Sequence, residues 1–178
     1  MFHSNTEELI DYWRDRRGQA LAPRRAAIDP MDFPRLLPQT FVLGRRGQGD
    51  YVFRLVGGFV GELHARDLRG QAFAGLWAEA DRTKLMLACE GARRRGEPLV
   101  VACDVQAGPH TLAMEVLLAP LASPQGEIDR FIGLYQPLGA VAALRRLPAD
   151  VLKLKAFNAA DEAAPKLRLA VLDGRLVG

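Results

Sequence analysis

The chain has 178 residues, 49% hydrophobic and 25% charged, the proportions of one globular domain rather than a disordered or fibrous chain. Its formal charge of +3 comes from 24 Lys and Arg against 21 Asp and Glu, and the arginines fall in short clusters, not the contiguous basic stripe of a nucleic-acid binder. Two cysteines without CxxC spacing, no membrane-length apolar run and no leader-like N-terminus predict a cytoplasmic protein without disulfide, zinc ribbon, nucleic-acid partner or membrane partner.

The first predicted element is an amphipathic helix from Thr6 onward. Leu9, Ile10, Tyr12 and Trp13 share one face, Glu7, Glu8 and Asp11 precede Arg14, Arg16 and Arg17 in the order that suits the helix dipole, and Gly18 is a natural stop. That stripe must be buried, either on the chain's own sheet or against a partner. Leu9, Tyr12 and Trp13 are therefore the candidate interface residues, tyrosine and tryptophan being favoured anchors.

Residues 22–38 carry Pro23, Pro30, Pro34 and Pro38, which rules out a long helix and predicts an extended segment broken by one or two helical turns, with Asp29 and Asp32 placed to cap them. A hairpin comes next, with strands over 40–43 and 51–56 around a Gly-rich turn. Alternation sends Tyr51, Phe53 and Leu55 to one face and Val52, Arg54 and Val56 to the other. Gly57 and Gly58 end the strand and open a short helix over 59–63, and residues 67–70 form a turn. A second long helix spans 81–95, with Asp81 as N-cap, Leu85, Met86 and Cys89 on one face, and Gly96 and Pro98 as its stop.

Three closely spaced strands lie beyond it, over 99–105, 111–118 and 128–136, and their short turns favour antiparallel neighbours. The tail predicts a short helix over 141–147, a flexible connector over 156–165 and a terminal hairpin from 167 with Asp173-Gly174 at its turn. The expected units are thus a helix at 1–21, a main domain at 22–138 and a tail at 139–178. The fold class is α+β, with one antiparallel sheet.

Several stretches resemble the PAS superfamily, and within it a bacterial single-domain family found mainly in alphaproteobacteria. The matching pieces are Asp11-Tyr12-Trp13-Arg14, the run Ile28-Asp29-Pro30-Met31-Asp32-Phe33-Pro34-Arg35-Leu36-Leu37-Pro38, Phe53-Arg54-Leu55-Val56-Gly57 and Ala65-Arg66-Asp67-Leu68-Arg69-Gly70. The resemblance covers roughly residues 5–140. His64-Ala65 departs from the family's aromatic-glycine pair, and the tail matches no motif. The resemblance implies a five-stranded antiparallel sheet with helices over one face, and a regulatory module that dimerises or docks to a signalling protein such as a histidine kinase. A small-molecule sensor is the alternative, its pocket lined by Phe53, Leu55, Phe59, Leu63, Trp77, Met86, Met114 and Val116. No particular cofactor is implied.

Chemical signatures are sparse. His3, His64 and His110 are too dispersed for a local metal motif; His3 is read as a loose end, His110 as a turn residue and His64 as a surface histidine near the pocket entrance. Cys89 and Cys103 lie in apolar patterns and are expected to be buried and inert. Gly57-Gly58-Phe59-Val60-Gly61 lacks dinucleotide spacing, Asp29 and Asp32 are better read as caps than as an acid-base pair, and Arg66 with Asp67 is expected to hold a turn. No nucleophile elbow exists, so the chain is read as non-catalytic.

Overall fold

The computed structural model describes residues 1–159. Among them six strands form one antiparallel sheet in the order β2-β1-β5-β4-β3-β6. The strands are β1 (Thr40–Gly47), β2 (Asp50–Val56), β3 (Leu99–Ala107), β4 (His110–Ala122), β5 (Ile128–Pro137) and β6 (Val151–Ala159). The hairpin and the three closing strands thus lie in a single sheet, as expected. Helices α2 (Gly58–His64) and α3 (Glu79–Arg95) roof one face, and α1 (Ser4–Arg17) covers the other.

Period-two alternation explains both faces. Leu112, Met114, Val116 and Leu118 of β4 pair with Val105, Cys103, Val101 and Leu99 of β3. They join Phe41, Leu43, Tyr51, Phe53, Phe131 and Tyr135 in an inner core under Leu85 and Cys89 of α3. The intervening residues Val100, Leu117, Ala119, Ile132 and Leu134 form an outer core with Leu9, Ile10 and Trp13. Glycine at position 133 is required by packing, because a Cβ there would run into the Phe41 ring from the neighbouring strand.

Alternation breaks once in β2. Val42 pairs with Leu55 but Leu43 pairs with Phe53, so Arg54 is an extra residue, a β-bulge that reverses the facing of Leu55 and Val56. Leu55, expected inside with Tyr51 and Phe53, is instead 48% exposed, while Val56 packs against the inner core.

The expected five strands become six because residues read as tail complete the sheet. Leu152 and Leu154 of β6 pack on the inner core, while Lys155 points away from it and pairs with Asp104 at 3.0 Å. Lining β3 with β6 covers a row of backbone groups that β3 would otherwise present as an edge. The connector expected over 156–165 is therefore strand as far as Ala159; its remainder, and the hairpin expected from 167, lie outside the described residues. The expected helix over 141–147 is one 3-10 turn, Val141–Leu144. Asp81, expected as the cap of the second long helix, lies inside α3, whose N-cap position is Ala78; its carboxylate accepts from the Leu154 N–H at 3.0 Å and so anchors β6.

The proline-rich stretch forms the turns Pro30–Asp32 and Pro34–Gln39. Asp29 caps the first by accepting from the Met31 N–H at 2.9 Å. Asp32 does not cap: it accepts from the Tyr12 hydroxyl at 2.9 Å and from Arg16 at 2.7 Å, tying this stretch to α1.

Candidate functional site

The N-terminal helix is built into the domain. Its N-cap is His3, whose Nδ1 accepts from the Asn5 N–H at 3.1 Å, so His3 is not a loose end. The Glu115 carboxylate on β4 accepts from the Thr6 hydroxyl at 2.7 Å and from the His3 N–H at 3.1 Å. Gln136 on β5 accepts from the Asn5 amide at 2.9 Å. Leu9 and Trp13 are fully covered by the outer face of the sheet and leave no surface for a partner. Of the three candidate interface residues, only Tyr12 is partly exposed. Its ring meets Phe33 edge-on at 5.1 Å and lies under Arg16.

Beside Tyr12 the outer face is left partly open. A groove of about 540 Å³ runs between the proline-rich segment and β1, β2 and β5, walled by Ile28, Phe33, Leu37, Val42, Leu55 and Ile132. Met31, 74% exposed, follows the lining residue Pro30 in the chain. Sequence reasoning missed this groove. The signal was present in β1 and β5, where Phe41 and Phe131 point inward while Val42 and Ile132, on the opposite face, are also apolar.

The eight candidate pocket residues divide differently. Phe53, Trp77, Met114 and Val116 are fully buried in the inner core, Leu63 is buried, and Phe59 and Met86 are partly buried against it; Leu55 is on the other face. Aromatic rings missed at the sequence level fill the space between them. Phe41 packs on Phe53, Phe73 and Tyr135 at 5.5, 6.0 and 5.2 Å, and Phe73 on Trp77 at 5.7 Å. Within this apolar packing the Trp77 indole N–H is buried without a hydrogen-bond partner among the described residues.

His64 is not a surface residue. It is 5% exposed, its Nε2 lies 3.4 Å from the Tyr135 hydroxyl, and it makes a backbone hydrogen bond to Ala149. Burial, helped by the nearby Arg66 charge, lowers its pKa to about 4, so the ring is neutral at ordinary pH. Burial likewise pushes both thiols, Cys89 and Cys103, up to about 12, far from the thiolate range a nucleophile needs. The turn near Arg66 is held by Asp67 and Arg69 instead: one Asp67 oxygen accepts from the Arg69 N–H at 3.0 Å and the other from its guanidinium at 3.1 Å. Gly57 is explained by packing, since a Cβ there would strike the Leu37 and Pro38 carbonyls.

A family model described as PAS domain matches residues 1–136. The chain belongs to the PAS domain family. Comparison of the sequence with curated proteins finds no match. Among solved structures, the PAS chain is similar to the LOV protein of Rhodobacter sphaeroides (14% identity, TM-score 0.47, covering 64% of this chain and 70% of that one). It is also similar to an RNA-binding light-oxygen-voltage receptor (15%, TM-score 0.49, 66% and 35%). A third similarity is to VqmA of Vibrio cholerae in a complex with ligand and DNA (19%, TM-score 0.45, 61% and 49%). The chain thus spans about a third of the second and half of the third.

The PAS family places the chain among sensory and regulatory signalling modules. The expectation that nucleic acid is not a partner draws no support from these comparisons. Among the described residues no helix is long and apolar enough to cross a membrane, and no three His, Cys, Asp or Glu side chains gather as a metal site.

Proposed function

We propose that this chain is a non-catalytic, cytoplasmic regulatory module that acts by protein contact, with a second copy of itself seated on the outer-face groove. The observation that carries this reading is the groove itself, an apolar channel beside α1 with Leu55 exposed in its wall and Met31 exposed on the turn that holds its lining residue Pro30. Contiguous exposed apolar surface of this kind marks interaction sites. A patch that holds both a concave channel and a protruding methionine suits a two-fold contact, in which each copy's projection meets the other's channel. A signalling protein such as a histidine kinase is the other class of occupant and would use the same groove.

Sedimentation equilibrium of the full chain tests the reading. The wild type is expected to self-associate, and Leu55→Glu and Met31→Glu to weaken that association at least about tenfold, the equivalent of about 1.4 kcal/mol, with unchanged thermal unfolding. A wild type that stays monomeric at every concentration, or variants that associate as well as it does, overturns the second-copy reading.

One observation favours a second reading, a small molecule held in the inner core. The Trp77 N–H has no partner among the described residues, and buried donors are nearly always satisfied by protein, water or ligand. Native mass spectrometry of freshly purified protein, repeated after denaturation, separates the cases: a non-covalent mass lost on unfolding supports the sensor, and a bare chain mass counts against it.

A further inference from the structure

A second cleft, on the opposite side of the domain, has a different character. It lies between α2 and the connection from β5 to β6 and has a volume of about 690 Å³, within the roughly 300–1,000 Å³ range of small-molecule sites. Phe59 and Leu63 form one wall, and Val141, Leu144 and Leu147 the other. Val141 and Leu147 are 39% and 42% exposed and face solvent, while Leu144 between them is buried against the inner core. Arg145 and Arg146 stand at its rim, and neither guanidinium has an ion-pair or hydrogen-bond partner among the described residues.

The backbone around the cleft is unusual. Among the described residues the non-glycine positions with positive φ are Ala65 (48°), Arg145 (53°) and Arg146 (63°). Ala65 ends the α2 wall and the two arginines belong to the opposite wall. Left-handed backbone at residues with a Cβ is costly, and it gathers at ligand clamps and functional sites. The walls are also fastened to each other: the Ala149 N–H donates to the Leu63 carbonyl at 2.7 Å, and the buried His64 ring bonds the Ala149 backbone. The cleft is therefore set before any ligand arrives, which lowers the ordering cost of binding.

We propose that this cleft binds a small monoanionic carboxylate with an apolar body, the carboxylate held by Arg145 and Arg146 and the body lying on Phe59, Leu63, Val141 and Leu147. The planar guanidinium fork matches a carboxylate through paired, charge-assisted hydrogen bonds. Glu62, on the α2 wall, reduces the charge of the lining to one net positive, which suits one negative charge and opposes a dianion. This site is separate from the outer-face groove; it shares Leu63 and Leu144 with the margin of the inner core but not Arg145 and Arg146, so substitution of the two arginines tests it independently.

Amide NMR titration of the full chain with octanoate is the direct experiment, with octanol, acetate and inorganic phosphate as comparison probes. Octanoate is expected to saturate and to shift residues 59–63 and 141–147. Octanol (body without charge), acetate (charge without body) and phosphate should each bind at least about tenfold more weakly. The double variant Arg145→Gln, Arg146→Gln should weaken octanoate by about tenfold or more, the scale of one charge-assisted bond, while Arg24→Gln should leave it unchanged. Shifts centred on Met114 and Val116 instead of the cleft, equal binding of octanol, or undiminished binding by the folded double variant would each overturn the proposal.

Discussion

The indole N–H of Trp13 donates to the carbonyl of Pro120 at 2.7 Å, joining the N-terminal helix to β4 on the sheet's outer face. With Leu9 and Ile10 it seals an apolar layer that no other described α-helix covers. Truncating so large a buried side chain removes transfer energy and leaves a cavity. Trp13→Ala is therefore expected to cost about 3–5 kcal/mol of stability, and Trp13→Phe, which keeps an aromatic ring but loses the hydrogen bond, about 1 kcal/mol beyond its smaller packing loss. Urea unfolding of the full chain measures both. An unchanged midpoint for Trp13→Ala would show that α1 is an appendage rather than part of the domain.

Glu115 is 8% exposed and takes its bonds from Thr6 and the His3 backbone. Glu115→Ala leaves those donors without their acceptor, at about 1–3 kcal/mol. Hydrogen exchange should speed up first in residues 4–10. Loss of protection spread evenly over the sheet would contradict this local role.

His64 predicts a pH dependence of definite sign. Its folded pKa of about 4 lies below the ordinary 6.5, so as pH falls the unfolded chain takes up a proton that the folded chain resists. The contribution is complete above pH 6.5 and is lost on acidification toward pH 4, roughly 3 kcal/mol across the window. His64→Gln should flatten the stability profile between those limits. Identical slopes for wild type and variant would refute the assignment.

Gly133 faces Phe41 so closely that a methyl group has no room. Overpacking of this kind costs about 1–3 kcal/mol or more, so Gly133→Ala is expected to lower the melting temperature by several degrees. A neutral effect in calorimetry would mean that the aromatic cluster yields easily.

These sites also mark what the sequence can and cannot disclose. Regular alternation in Leu112, Met114, Val116 and Leu118 is readable because both neighbours of β4 are strands of the same sheet. The proline spacing announces its turns because proline acts locally. Leu55 is misplaced by alternation because a single extra residue, Arg54, reverses the pattern without any compositional mark. Leu9 and Trp13 are ambiguous for a deeper reason: an apolar helical stripe has the same pattern whether it meets its own sheet or another chain. His64, flanked by Leu63 and Ala65, meets Tyr135 and Ala149, both remote in sequence. Leu152 and Leu154 do alternate with lysines, but their strand is recognisable only once β3 is seen to offer an edge.

The central claim is that the outer-face groove is the working surface of the module. Methyl-group NMR of the wild-type chain over a dilution series tests it most directly. The expected result is concentration-dependent shifts confined to Met31, Leu37, Leu55 and Ile132. Spectra that do not change with concentration, or shifts centred on Met114 and Val116 in the inner core, would contradict it.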